Sequence, residues 1–161
     1  MLRLFRAVLV WLAALCVAAS ASDDAVRAIS KLYAAVANDQ ASFSSAAIRA
    51  RFFSKGFAAV ADAIDKRELA SHDAILDFDP ILNTNGIEDT ANLVIRRAAP
   101  DLVVATFGKG ADRRSVAYRF VLEGGVWRID DIQSVPGARG VDKWSVRTIN
   151  DDDLKLRTAQ H

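Results

Sequence analysis

The repeat of apolar residues changes its period once along this chain, near residue 93, and that change restricts the fold more than any other feature. Upstream of it, Val26, Ile29, Tyr33 and Val36 recur at three- to four-residue spacing, which marks one face of an amphipathic helix. Ser22 is placed to be its N-cap. Asp23 and Asp24 would occupy the first turn, where carboxylates meet the positive end of the helix dipole. The spacing predicts a stop near Asn38-Asp39, then a second helical stretch capped by Ser44 or Ser45 and carrying Ile48, Phe52 and Phe53. A break is expected at Gly56, after which Phe57, Val60, Ala61 and Ile64 continue the apolar face.

Downstream the period becomes two and the residues become β-branched and aromatic, as strands require. Leu93 to Ala98, Leu102 to Phe107, Ser115 to Leu122 and Val126 to Ile132 are predicted strands. The links between them are too short for the crossover that parallel neighbours need, so the strands form an antiparallel meander. A closing helix is predicted from near Asp142, carrying Trp144 and Ile149. The expected class is α+β, with N-terminal helices packed on a bent, about four-stranded antiparallel sheet and a C-terminal helix. Between the halves, Ala74 to Asp89 alternates but contains Pro80, which predicts an edge segment with Leu76, Phe78 and Leu82 on one side and Asp77 and Asp79 on the other. A turn at Asn85-Gly86 would follow.

The first twenty-one residues have the layout of an export signal: Arg3 and Arg6, an apolar run from Ala7 to Ala19, and the small-x-small site Ala19-Ser20-Ala21. The run is about 13 residues, short of the roughly 20 a membrane-spanning helix needs. The expected organisation is a signal peptide at 1–21, one domain at 22–150 and a polar tail at 151–161 that contains Asp151-Asp152-Asp153. Leu15 before Cys16 disfavours a lipoprotein anchor. Cleavage near Ala21 removes the single Cys and two of the 21 Lys and Arg, leaving 19 against 20 Asp and Glu. The product is then free of disulfides and near neutral, with no clustered charge to favour nucleic acid or stable membrane insertion.

Three segments carry a resemblance: Asp77-Phe78-Asp79-Pro80-Ile81-Leu82, Gly125-Val126-Trp127-Arg128-Ile129-Asp130-Asp131-Ile132 and Trp144-Ser145-Val146-Arg147. In order and spacing the chain resembles the small exported bacterial proteins grouped as domain of unknown function 3828. That resemblance implies a nuclear transport factor 2-like, or cystatin-like, fold in which helices fill the concave side of a bent sheet forming a cone. It also implies export, to the periplasm of a Gram-negative bacterium. It brings no catalytic residue with it.

Asp131 is the candidate catalytic group. Strict alternation places it on the face of Trp127 and Ile129, where desolvation would raise its pKa toward that of a general base. The more ordinary role for a carboxylate near a strand end is to cap a helix or accept backbone N–H bonds. Asp77, Asp79, Asp130 and Trp127 are the candidate ligand contacts. Asp77 and Asp79, with Asn83, Asn85, Glu88 and Asp89, suggest a hard cation only superficially, because Ile81 falls where an EF-hand needs an oxygen ligand and Asn92 falls where it needs a Glu. His72 and His161 are too few for a typical zinc site, and no nucleophile elbow or phosphate loop is present. No metal and no cofactor is expected. The expected role is a non-catalytic module binding a small apolar ligand, a peptide or an envelope protein. The alternatives are an enzyme with a carboxylate base in the cone, and an immunity or inhibitor protein for an exported toxin.

Overall fold

The computed structural model describes residues 24–38, 42–85, 90–135 and 143–159. The export segment, the Ser22 cap, Gly86 of the expected turn, Glu88, Asp89, Asp142 and His161 lie outside these residues.

Residues 24–38 form α1, which buries Ala25, Ile29, Leu32, Tyr33 and Val36. Helix α2 spans Ala46–Phe52 and α3 spans Lys55–Ser71. The break between them falls at Phe53-Ser54 instead of Gly56. Phe53 is extended and bridges Ile129, and the Ser54 N–H donates to the Ile129 carbonyl at 2.8 Å, so pairing with the sheet outcompetes helix continuation. Ser54 then caps α3, accepting from the Phe57 N–H at 2.9 Å, and Gly56 lies inside the first turn. Arg49 of α2 is only 6% exposed. Its guanidinium ties the Phe43 carbonyl, at 3.1 Å, to Asp62 and Asp65 of α3 at 2.7 and 2.8 Å.

Strands β1 (Val94–Ala99), β2 (Leu102–Phe107), β3 (Arg114–Glu123) and β4 (Val126–Ser134) form an open sheet in chain order, every neighbour antiparallel. The β2–β3 link contains a 3₁₀ turn at Gly110–Asp112 and requires Gly108, where φ is +84° and a Cβ would stand 2.6 Å from the Asp112 carbonyl oxygen. Helix α4 spans Val146–Thr158. It starts later than expected because residues 143–145 run extended beside β4, with Ser145 bridging Gln133 and the Ser134 N–H donating to Trp144 at 2.9 Å.

The expected tail from residue 151 is instead the body of α4. Asp153 accepts from Arg157 one turn on at 2.9 Å and from Arg67 of α3 at 2.9 Å, and Arg67 also reaches buried Asn150 at 2.7 Å. These cross-links hold a run of acids in a helix that composition alone reads as frayed.

The core lies between α1, α2, α3 and the face of the sheet that carries Val103, Ala105, Phe107, Val116, Tyr118, Phe120, Ile129 and Ile132. Tyr33 meets Phe107 and Tyr118 at centroid distances of 5.4 and 6.3 Å, while Phe43, Phe53 and Phe57 form a second aromatic group. No strand forms over residues 74–85. Asp79 accepts from the Ile81 N–H at 2.7 Å, which turns the chain around buried Pro80, and Glu68 accepts from the N–H groups of Ile75 and Leu76 at 2.7 and 2.9 Å. Local carboxylate bonds thus replace the ladder that the alternation predicted.

Candidate functional site

Strand β4 contains one extra residue. Phe120 faces Ile129 and Arg119 faces Asp131, so Asp130 is a β-bulge with no partner on β3. The insertion resets the alternation: Ile129 and Ile132 both enter the core, and Asp131 turns away from the face of Ile129 on which strict period two had placed it. Asp131 is buried all the same, at 7% exposure.

The two acids of the bulge serve the starts of two helices. Asp130 accepts from the Ser54 hydroxyl at 2.6 Å and from Arg147 Nη2 at 2.8 Å, and its carbonyl takes Arg147 Nε at 2.6 Å. Asp131 accepts from the Ser145 hydroxyl at 2.7 Å, from the Arg147 N–H at 3.3 Å and from the Ile132 N–H at 2.9 Å. Ser54 and Ser145 are the N-caps of α3 and α4. Each serine accepts from its helix and donates to an aspartate, so negative charge stands behind both positive helix ends.

Burial pushes the Asp131 carboxyl above the usual carboxylate range, and the bonds from Ser145, Arg147 and Ile132 pull against that rise. A general base needs an unoccupied oxygen facing substrate. Here both oxygens are engaged by protein donors, which is the behaviour of a capping group.

Asp79 uses both oxygens on the chain itself, at the N–H groups of Phe43 (3.0 Å) and Ile81 (2.7 Å). Asp77 is exposed and separate from it, and exposed His72 ends α3 in a left-handed conformation at φ 61°. Asp130 lies with the helix caps, and so the structure does not bring Asp77, Asp79, Asp130 and Trp127 into one site. Among the described residues, no three or more His, Cys, Asp or Glu side chains converge to hold a metal ion.

Trp127 stands at a cleft of about 300 Å³ between the start of α1, the end of α2 and the β3–β4 hairpin. Its walls combine Asp24, Arg27 and Lys31 of α1, Arg51 and Phe52 of α2, and Val126 of the hairpin. Asp24 pairs with Arg27 at 2.9 Å, whereas Lys31 and Arg51 meet no carboxylate among the described residues. The Arg51 guanidinium lies over the Phe52 ring at 5.2 Å. Arg128 donates to the Ala50 and Arg51 carbonyls, adding its charge behind the same wall. The Trp127 indole N–H is buried with no acceptor, and the Arg97 guanidinium over the same ring, at 5.9 Å, also has a buried nitrogen without one. Sequence reasoning named Trp127 but missed Arg27, Lys31 and Arg51. Their positions on polar helix faces read as solvated, and only the tertiary fold brings those faces to the hairpin.

No family model and no curated protein matches the chain. Among solved structures it is similar to the crystal structure of a protein of unknown function from Bacteroides thetaiotaomicron, with 23% identity over 75% of this chain and 97% of that one and a TM-score of 0.52. A likeness at that identity shows the α+β fold alone. Among the described residues no helix is long and apolar enough to cross a membrane.

Proposed function

We propose that this chain is an exported, non-catalytic binding domain of the nuclear transport factor 2-like superfamily that receives its ligand in the Trp127 cleft. Export to a periplasm, with cleavage near Ala21, is part of the same reading and rests on the layout of the first twenty-one residues. The observation that carries the binding role is the contrast between two polar groupings. Asp130 and Asp131 are spent on cap serines, whereas the exposed cations Lys31 and Arg51 border a cleft without a carboxylate partner among the described residues. Side chains without protein partners around a concavity are what a ligand uses.

The test is to follow amide and indole N–H resonances of the exported protein by NMR while adding a small-molecule extract of the periplasm. Shifts at the Trp127 indole, Arg51 and Val126 are expected. Shifts confined to Tyr33 and Tyr118 in the core would overturn the placement. A phenotype lost in D131N while the cleft variant R51E keeps it would favour an enzyme instead.

A further inference from the structure

Resting on that binding reading, we infer that the Trp127 cleft takes a carboxylate joined to an apolar body. The charge on its walls is lopsided. Asp24 neutralises Arg27, and Lys31 and Arg51 remain as two cations without a carboxylate among the described residues, in a chain whose expected exported form has a net charge of −1. Local excess of one sign in a near-neutral molecule is a recognition feature, because it raises the local concentration of the opposite charge.

The form of the cations narrows the anion. Arg51 is braced by its stack on Phe52, 5.2 Å away, so the planar fork of a guanidinium is presented with part of its freedom already lost. A planar carboxylate matches that fork through paired hydrogen bonds, and Lys31 adds a second positive charge to the lining of the same cleft. Next to these cations stand Phe52, Val126 and Trp127, a wall that water solvates poorly and that an apolar body would cover. A highly charged, fully polar anion would leave this wall unused. A neutral apolar molecule would leave the two cations unused.

The volume of about 300 Å³ stands at the lower end of ligand pockets, which suits a short acid or a single terminal residue and excludes a folded segment. Two sources share this chemistry: a free aliphatic acid, and the C-terminal residue of a peptide.

Calorimetric titration of the exported protein with four probes separates them: octanoate, octanamide, and a hexapeptide ending in leucine with a free or an amidated terminus. The expected result is that octanoate, the free-ended peptide or both bind about tenfold or more tightly than the matching amide, since a charge-assisted pair is lost in each amide. K31A and R51A should each weaken the carboxylate about tenfold and leave the amide unchanged, and added salt should weaken the carboxylate alone. Both are exposed positions, and circular dichroism checks that the variants fold. Equal affinity for acid and amide overturns the carboxylate assignment while sustaining a binding cleft. Absence of binding by all four probes overturns the assignment as well, and the NMR mapping above then decides the binding reading separately.

Discussion

Asp130 and Asp131 are adjacent in the chain and hold different helices: Asp130 accepts from the cap serine of α3 at 2.6 Å and Asp131 from the cap serine of α4 at 2.7 Å. Neighbouring residues of a regular strand point to opposite faces, and the bulge at Asp130 is what lets both carboxylates reach helix ends near the same edge of the sheet. Ser54 links to Asp130 and Ser145 to Asp131, so removing either hydroxyl loses a cap and leaves a carboxylate short of a donor. S54A and S145A should each lower stability by about 1–2 kcal/mol in urea unfolding. A loss below a few tenths in both variants would show that the caps are idle.

Asp131 also sets a pH dependence. Its carboxyl titrates higher in the folded chain than in the unfolded one, so folding favours the protonated form. The stabilising contribution is present below the unfolded value and is lost as pH rises through the raised folded value. In D131N this titration is absent. The stability of the wild type relative to D131N should therefore fall as pH rises from the ordinary carboxylate range through the raised folded value, as read from urea midpoints; a difference that grows with pH would contradict the burial argument.

A third expectation concerns the acidic end of the chain. Truncation after Asn150 removes most of α4 together with the Asp153 bonds to Arg67 and Arg157. It should lower the thermal midpoint by several degrees, consistent with about 1–2 kcal/mol in a domain of this size. D153A alone should reproduce part of the loss. An unchanged midpoint for both would mean that the last turns of α4 contribute nothing.

The core makes a fourth. Tyr33 and Tyr118 lie 2.9 Å apart, oxygen to oxygen, and each is within 3.1 Å of the Ile81 carbonyl oxygen. Burial pushes both phenols well above their ordinary pKa. Y33F and Y118F should each cost about 1 kcal/mol, because the remaining hydroxyl can still serve the carbonyl. The double variant should cost more than the two together, since it leaves a buried carbonyl unanswered. A double-mutant cycle in urea measures that excess, and strict additivity would disprove the sharing.

The strands were legible because β-branched and aromatic residues alternate between short links built on Pro, Asp and Gly, and Leu102 to Phe107 was predicted with the bounds the structure has. The helices were legible in α1 for the same reason of period. What the sequence did not disclose depends on partners far away in the chain. Nothing local says that Phe53 bridges Ile129, that Arg67 will meet Asp153, or that one residue of β4 is extra. Asp131 illustrates the limit. Its burial was expected, but on an alternation the bulge breaks, and its bonds come from Ser145 and Arg147 on α4. The cleft was legible only in Trp127, because polar helix faces look alike whether they meet water or a neighbouring hairpin.

The two phenols have a consequence for motion. Three short oxygen contacts join Tyr33, Tyr118 and Ile81, yet the two hydroxyls have only two protons to place, so one contact is always the unprotonated side of a rotating pair. The protons can exchange roles without moving a heavy atom, and the irregular segment around Pro80 stays moored through every such exchange. A stretch of chain with neither helix nor ladder is thereby fastened to the centre of the sheet by a bolt that can turn without opening.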